Sequence, residues 1–260
     1  MQRFDDRRIV ITGAGSGIGQ ATVARLLEEG GTVVAFDVSA DGLARTTAAA
    51  EDAGTAKRLT TAVLDISDEV AVGNEVATAI NTLDGLDVLV NAAAIQICAH
   101  THEHSLLDWN TTLAINLTGT FLMTRASLPA LIDSGRGVVV NFTSTAATFA
   151  HPYMAAYAAS KGGVLALTHS LALEYSKQGL RAVNIQPGGV STALANSTLD
   201  KMPEGYDLGL WTKQTPLLHG KENEILGDPS AVAAVIAMVA SDDGAFITGT
   251  EIRVDGGAHA

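Results

Sequence analysis

Short runs of β-branched and other apolar residues alternate with longer alanine-rich stretches along the 260-residue chain. The short runs have the length of buried strands and occupy residues 8–12, 32–36, 58–64, 86–90, 137–142, 181–185 and 251–254. The longer stretches have the length of helices and occupy residues 17–30, 40–53, 67–83, 108–133, 153–178 and 229–241. The strands lack strict polar alternation, which is typical of a parallel sheet covered by helices on both faces. We therefore predict a doubly wound, Rossmann-like α/β fold with a mostly seven-stranded parallel sheet.

The sequence has no proline- or serine-rich linker and no break in composition, so we expect a single domain over residues 1–260. One stretch, residues 193–227, resists assignment because glycine and proline recur along it. A long irregular segment in a compact domain is commonly a lid or a binding loop. We predict that residues 193–227 form a substrate-binding lid segment after the sixth strand.

Charge and composition exclude several classes of function. The formal net charge is −12 and the basic residues are scattered, whereas a nucleic-acid-binding protein needs a basic surface. The longest apolar run, residues 231–240, is about half of the ~20 residues that a membrane-spanning helix needs. The single cysteine, Cys98, fits a reducing compartment, and the charged first residues do not resemble a signal peptide. We expect a cytoplasmic protein that acts on a small molecule, without nucleic acid or membrane as a partner.

The first predicted strand leads directly into a glycine-rich loop, TGAGSGIG at residues 12–19, and then into a helix. Gly13, Gly17 and Gly19 allow the backbone to turn tightly and to approach a phosphate. The N terminus of the following helix adds unpaired N–H groups and partial positive charge. This order of strand, loop and helix predicts a dinucleotide-binding site.

Further short motifs follow the loop in a fixed order. The loop itself has GxxxGxG spacing rather than the GxGxxG of longer dinucleotide domains. Besides the glycine loop, these motifs contain Asn91, Trp109, Asn116, Ser144, Tyr157, Lys161, Pro187, Gly188, Thr192 and the VDGG sequence at residues 254–257. In this order and at these spacings, across nearly the whole chain, the sequence resembles the short-chain dehydrogenase/reductase family. Ala92 and Ala94 depart from the family's NNAG motif, which leaves the conformation of that turn open.

The resemblance implies an oxidoreductase that transfers a hydride between NAD(H) and a secondary alcohol or ketone. It implies that Ser144 orients the substrate oxygen toward Tyr157, and that Lys161 also holds the nicotinamide ribose. It further implies that Asn116 anchors a water that relays protons from the lysine, which makes four catalytic residues. The cofactor-binding residues expected on the same basis are Gly13, Ser16, Gly17, Ile18, Gly19, Asp37, Asp65, Ile66, Asn91, Ala92, Tyr157, Lys161, Pro187, Gly188, Val190 and Thr192.

Tyr157 and Lys161 are four residues apart in an alanine-rich stretch, so a helix would place them on one face. A free tyrosine has a pKa of about 10, too high for a base at neutral pH. A nearby ammonium, together with the positive charge of an oxidised nicotinamide, favours the phenolate. We therefore expect Tyr157 to be the general acid/base of the reaction.

Asp37 at the end of the second strand favours NAD over NADP. Its carboxylate can accept hydrogen bonds from the adenosine ribose and would repel a 2′-phosphate. No basic residue stands at Ser16 or directly after Asp37 to bind such a phosphate. Asp37 also has a second interpretation as a helix cap or a turn residue, and Asp65 has one as the cap of the helix that follows it.

Two alternatives to this function come from the same residues. An NADPH-dependent 3-oxoacyl thioester reductase is the nearest, and Asp37 argues against it. The other is a dinucleotide-binding regulatory relative without activity, which would lack Ser144, Tyr157 or Lys161, and all three are present.

The substrate itself is not specified by these motifs. His100, His102 and His104 alternate, so they would share a face only in an extended segment, and we predict no metal site there. The helices at residues 108–133 and 153–178 resemble the pair that the family uses for symmetric assembly, which implies a homotetramer. We expect the substrate pocket to be lined by the 193–227 segment and by Ile95, Gln96, Ser144, Thr145, Tyr153 and Gly188. Outside that segment the expected lining contains no Arg or Lys, which favours a neutral substrate.

Overall fold

A computed structural model of the chain describes residues 2–218 and 225–260. All seven strands are parallel and form one sheet with the order β3-β2-β1-β4-β5-β6-β7. Each predicted strand is present, with its ends shifted by two residues at most, so the predicted fold is confirmed. The strands are β1 (Arg8–Thr12), β2 (Thr32–Asp37), β3 (Leu59–Val63), β4 (Val88–Asn91), β5 (Val138–Phe142), β6 (Arg181–Pro187) and β7 (Glu251–Val254).

The helices cover both faces of the sheet because successive strand residues point to opposite sides. In β1, Ile9 and Ile11 belong to one buried cluster and Val10 to the other. The helices are α1 (Gly17–Glu28), α2 (Ala40–Asp52), α3 (Glu69–Leu83), α4 (Leu106–Leu113), α5 (Thr120–Asp133), α6 (Ala155–Glu174), α7 (Ala193–Asn196), α8 (Leu208–Trp211) and α9 (Pro229–Ala240). The first cluster includes residues of α1, α2 and α9, and the second includes residues of α3, α5 and α6.

Two helices begin later than predicted for identifiable reasons. The Asp68 carboxylate accepts hydrogen bonds from the backbone N–H groups of Val70 and Ala71, so α3 begins at Glu69 rather than at residue 67. Tyr153 has a left-handed backbone with φ of 66°, which a helix cannot include, and α6 therefore begins at Ala155.

The predicted helix 108–133 is not a single α-helix. The π-helical turn Ala114–Gly119 separates α4 from α5. Gly119 lies in this turn, where an added Cβ would be 2.7 Å from Ile66 Cγ1. A π turn carries one residue more than an α turn and often occurs at a functional site. Its presence here is in keeping with a functional role for Asn116, which lies within the turn.

The predicted lid segment is only partly helical. Its described residues include the short helices α7 and α8, and Gly227 pairs with Val190 in an isolated bridge. Residues 219–224 of the segment lie outside the described part of the chain. Across the residues that are described, no helix has the length and apolar character needed to cross a membrane.

The amino ends of three central strands meet at Asp87. Its fully buried carboxylate accepts hydrogen bonds from Arg8 Nε at 2.9 Å and from Arg136 Nε at 2.9 Å. Burial alone would raise the pKa of Asp87, but the hydrogen bonds from Arg8 and Arg136 outweigh it and lower the pKa to about 2. The ionised carboxylate therefore stabilises the folded protein.

This depressed pKa predicts acid sensitivity. The stabilisation is complete above the unfolded-state pKa of about 4 and is lost as the pH falls through about 2. Between pH 5 and pH 2 the free energy of unfolding should fall by about 2 kcal/mol more in the wild type than in Asp87→Asn. Urea unfolding at several pH values measures this difference. The exposed Asp133→Asn serves as a control and should follow the wild type; equal slopes for all three proteins would contradict the assignment.

Candidate active site

A cavity of about 810 Å³ opens at the carboxyl edge of the sheet, where ligands bind in doubly wound folds. This volume is within the range of about 300–1,000 Å³ that ligand and cofactor sites occupy. The cavity brings together most of the residues predicted from the sequence. Those in its wall are Gly13, Ser16, Gly17, Ile18, Gly19, Asp37, Asp65, Ile66, Ala92, Ile95, Gln96, Ser144, Thr145, Tyr157, Lys161, Pro187, Gly188, Val190 and Thr192.

The glycine loop at one end of the cavity is closely packed. Gly13 has φ of +69°, and a Cβ there would be 2.7 Å from the Ala93 nitrogen. A Cβ on Gly19 would be 2.0 Å from the Gly13 carbonyl oxygen, so neither position accepts a side chain. Ser16 precedes α1, and within the described residues its side chain caps none of the helix N–H groups. Those groups are free to bind phosphate, so the loop fits a dinucleotide.

Asp37 joins this loop to the end of β2. Its Oδ2 accepts a hydrogen bond from Gly15 N at 2.8 Å, and its Oδ1 accepts one from Ser39 N at 2.8 Å. Ser39 caps α2, so Asp37 is not a helix cap, but the hydrogen bond that it accepts from Ser39 N, two residues on, is that of a turn residue. Each carboxylate oxygen has lone pairs left to accept a ribose hydroxyl.

Asp65 is a turn residue as well as a cavity residue. Its Oδ1 accepts hydrogen bonds from Ser67 N at 2.9 Å and from Ser67 Oγ at 2.7 Å. The interpretation of Asp65 as the cap of α3 is wrong, because Asp68 caps that helix. Oδ2 of Asp65 takes no part in these two bonds, and Asp65 lines the same cavity as Ile66.

The segment after β6 lies over the end of the cavity that contains the glycine loop. Thr192 caps α7 by accepting a hydrogen bond from Ala195 N at 3.1 Å. A Cβ on Gly17 would be 2.9 Å from Thr192 Cγ2, so this segment lies directly over the glycine loop. Gly188 approaches Asp255 so closely that a Cβ would be 2.5 Å from Asp255 Cβ.

Tyr157, Ser144 and Lys161 lie together at the other end of the cavity. Tyr157 and Lys161 are one turn apart on α6, and Lys161 Nζ is 5.8 Å from the centroid of the tyrosine ring. The Lys161 ammonium donates a hydrogen bond to the Phe142 carbonyl oxygen at 2.8 Å, which ties α6 to the end of β5. Ser144 follows β5 and accepts a hydrogen bond from Ala146 N at 3.2 Å. The three polar groups therefore converge from two elements.

Burial controls the protonation of this group. It raises the pKa of the Tyr157 phenol, and a hydrogen bond with Ser144 opposes that rise. Burial also lowers the pKa of Lys161 to about 8, so at neutral pH the lysine keeps its charge. Without a further cation the tyrosine is a neutral phenol, so Lys161 alone does not produce the expected phenolate.

Asn116 and Asn91 lie outside the described residues that form the cavity wall. The Asn116 amide exchanges two hydrogen bonds with the Ile95 backbone, each at 2.9 Å, and also donates to Ser160 Oγ at 3.1 Å. This side chain positions Ile95, which does line the cavity, and the water relay through Asn116 stays a prediction.

Asn91, expected among the cofactor-binding residues, is the last residue of β4. Its Nδ2 donates to Asn141 Oδ1 at 2.8 Å and to Thr124 Oγ1 at 3.2 Å. The side chain therefore links β4 to β5 and α5 in the protein interior. Cofactor binding by Asn91 stays a prediction.

Tyr153 was expected in the substrate pocket and lies outside the described cavity wall. Its hydroxyl accepts a hydrogen bond from Asp207 N at 2.8 Å, and its ring packs edge-on against His100. His102 is exposed, and His100 Nε2 contacts the Glu204 carbonyl oxygen at 3.1 Å. The described residues contain no group of three or more His, Cys, Asp or Glu side chains that could hold a metal ion.

Other cavity residues were not singled out from the sequence. His151 and Met154 precede α6, and Trp211 and Gln214 come from the predicted lid segment. Met154 and Trp211 pack in one apolar cluster with Tyr157. For His151, the one sequence signal of a place in the cavity is its position six residues before Tyr157 of the YxxxK motif. The direction of its ring depends on distant contacts, which the neighbouring sequence does not indicate.

The sequence model of the short chain dehydrogenase family matches residues 7–203, three quarters of the chain. The match covers the glycine loop, the three convergent polar groups and the segment over the loop. The chain therefore belongs to the short-chain dehydrogenase/reductase family, whose members are oxidoreductases that bind nicotinamide dinucleotides.

Individual relatives agree over the full length. Levodione reductase of Leifsonia aquatica is 32% identical over 260 residues, covering 99% of this chain and 96% of the relative. A crystal structure of levodione reductase matches with a TM-score of 0.89 over 98% of both chains. D-threitol dehydrogenase of Mycolicibacterium smegmatis is 36% identical over 256 residues, covering 98% and 94%. A short chain dehydrogenase from Mycobacterium paratuberculosis bound to NAD has a TM-score of 0.88 at 27% identity over 98% of both chains.

Proposed function

We propose that the chain transfers a hydride between NAD(H) and a secondary alcohol or ketone, with Tyr157 as the general acid/base. The observation that carries this proposal is the continuity of one cavity, from the glycine loop and Asp37 to Ser144 and Tyr157. Two relatives, a levodione reductase and a D-threitol dehydrogenase, support a substrate that carries a carbonyl or hydroxyl group.

The side chains have separate roles in this reaction. During oxidation the Tyr157 phenolate, which Lys161 and the positive charge of a bound oxidised nicotinamide would favour together, takes the proton of the substrate hydroxyl, and during reduction the phenol returns it. Ser144 donates a hydrogen bond to the same substrate oxygen and orients it toward Tyr157. Lys161 keeps a positive charge near the phenol and, with its ammonium fixed at Phe142, holds α6 in place. A bound nicotinamide ring supplies the hydride acceptor or donor.

NAD is the proposed dinucleotide. Asp37 supports it because the residue lines the cavity and each of its oxygens has acceptor capacity left for a ribose hydroxyl. The neighbouring Val38 is apolar and 69% exposed, so it offers no positive charge to a 2′-phosphate. The NAD-bound relative supports the same choice.

The function is tested by supplying the purified protein with NAD or NADP and a panel of substrates. The panel comprises hydroxysteroids, polyols, sugars, aliphatic alcohols and 3-hydroxyacyl thioesters, and the formation of NADH or NADPH is followed by absorbance. We expect turnover with NAD and a neutral secondary alcohol. Turnover of 3-hydroxyacyl thioesters with NADP alone, or dinucleotide binding without turnover of any substrate, would replace this proposal by one of its two alternatives.

Ser144→Ala should lower kcat/KM for the best alcohol about 100-fold. The substitution removes the hydrogen bond that orients the reacting oxygen, a loss typical of a single donor at a reaction centre. Ser176→Ala is the matched control, because Ser176 donates to the Leu173 carbonyl oxygen outside the cavity wall and should keep wild-type rates. Steady-state rates of NADH formation measure both variants, and wild-type kcat/KM in Ser144→Ala would remove Ser144 from the mechanism.

A homotetramer is part of the same proposal. Exposed apolar side chains on α4, α5 and α6 support an assembly through these helices, with Leu106 72%, Leu107 75% and Leu173 81% exposed. The cytoplasmic location, the single domain and the lid role of residues 193–227 stay predictions.

A further inference from the structure

His151 is a polar residue of the cavity that the roles above do not use. Its ring lines the cavity wall, just before α6, which carries Tyr157. Within the described parts of the chain neither ring nitrogen makes a hydrogen bond. Nε2 is closed off from solvent, so Nδ1 is the nitrogen that remains open to a ligand in the cavity. A ring nitrogen at a ligand site with no partner in the protein is available to bind the ligand.

The position of His151 is fixed from behind by a stack of rings. His259 lies parallel to His151 at 5.6 Å and to Phe149 at 4.3 Å. Asp255 holds His259 in place, with its Oδ2 3.1 Å from His259 Nδ1 and 3.2 Å from His259 N. Arg253 lies 5.2 Å above the Phe149 ring and completes the stack. The His151 ring is therefore held in place before any ligand binds.

The imidazole is also neutral under ordinary conditions. Burial, together with a smaller contribution from the neighbouring His259, lowers the pKa of His151 to about 4. A neutral imidazole carries one N–H donor and one acceptor nitrogen. It suits an uncharged hydroxyl or keto oxygen rather than a carboxylate, which would favour the charged ring.

Around His151 the substrate end of the cavity is largely apolar. Met154, Trp211 and Leu199 contribute to its described wall, which contains no Arg or Lys other than Lys161. Ser144 and Tyr157 are committed to the reacting oxygen. A hydrogen bond from His151 must therefore go to a different atom of the substrate.

We propose that His151 binds a second oxygen of the substrate, so that the preferred substrates are secondary alcohols with a hydroxyl or keto group close to the reacting carbon. This inference rests on the proposed function, because Tyr157 and Ser144 must hold the first oxygen. His151 is then a specificity residue, and His259 is a positioning residue that acts through it.

The test compares matched pairs of substrates that differ by one oxygen, butane-2,3-diol with butan-2-ol and cyclohexane-1,2-diol with cyclohexanol. The wild type should favour each diol in kcat/KM. His151→Leu should lower kcat/KM for the diols about 10- to 100-fold, as expected for one lost hydrogen bond at a polar site, and change that for the mono-alcohols less than about threefold. His151→Asn, which keeps a hydrogen-bonding group, should recover part of the preference.

His259→Ala tests the positioning role. It should raise KM for the diols and leave kcat for the mono-alcohols unchanged, because the ring behind His151 is lost and the reacting groups are not. His169→Leu is the matched control, since His169 pairs with Glu251 outside the described cavity wall. NADH binding and thermal unfolding show whether each variant is folded.

The outcomes separate this inference from the function on which it rests. An unchanged ratio of diol to mono-alcohol kcat/KM in His151→Leu, or a wild type without preference for the diols, overturns the role of His151 alone. If the folded wild type reduces NAD with no alcohol in either class, the proposed function fails as well.

Discussion

Replacing Tyr157 by Phe should lower kcat for alcohol oxidation by about three orders of magnitude. General acid/base groups contribute about 10²- to 10⁴-fold to a rate, and the cavity wall offers no second hydroxyl of comparable acidity among the described residues. The ring remains, so the apolar contacts with Met154 and Ala146 persist and the fold is retained. Steady-state NADH formation measures the loss, and NADH fluorescence should show binding within about threefold of the wild type.

Tyr153→Phe is the control for that substitution. It removes the same hydroxyl group from a tyrosine four residues away, whose oxygen accepts a hydrogen bond from Asp207 N outside the described cavity wall. We expect its kcat to remain within about threefold of the wild type. Normal turnover by Tyr157→Phe would overturn the acid/base assignment, whatever the control does.

Asp37→Ala should change the cofactor preference. Removing the carboxylate deletes the acceptors for the ribose hydroxyls and the negative charge that repels a 2′-phosphate, and like-charge contacts cost several kcal/mol. We expect KM for NAD to rise at least about tenfold. The ratio of kcat/KM for NADP to that for NAD should rise about 100-fold, equivalent to ~2.7 kcal/mol.

The control for Asp37→Ala must remove a nearby charge without touching the cavity. Asp41 is exposed in the first turn of α2 and lies outside the described wall. Asp41→Asn should leave the NADP to NAD ratio within about twofold of the wild type. If the ratio of kcat/KM for NADP to that for NAD changed equally in both variants, the overall electrostatic potential of the protein, and not the Asp37 carboxylate, would select the dinucleotide.

Much of the fold was predictable because its signals are local. Buried parallel strands are short, apolar and flanked by turns, so β1 could be located from Arg8–Thr12 alone. The glycine loop and the spacing of Tyr157 and Lys161 are also local. For that reason the sequence located both ends of the cavity and the elements that carry them.

The remaining features depend on contacts between distant residues. The left-handed backbone of Tyr153, which delays α6, is stabilised by a contact with Asp207 that no neighbouring residue indicates. The stack of His151 on His259 joins two segments far apart in the chain. The same holds for Asn116, whose amide is committed to the Ile95 backbone. Propensity and spacing carry no information about such partners.

The π turn Ala114–Gly119 has a consequence for how homologous sequences are aligned. Each residue advances an α-helix by about 100°, and a π turn holds one residue more than an α turn. In a regular α-helix a one-residue deletion would rotate one half against the other by about 100°, whereas a deletion within 114–119 would turn the π turn into an α turn and leave α4 and α5 facing as they do now. The residues of the turn itself would be repositioned, and the Asn116 amide would lose its place opposite Ile95. A single-residue gap at this place would mark a relative with a rebuilt site wall, even where the asparagine itself is retained.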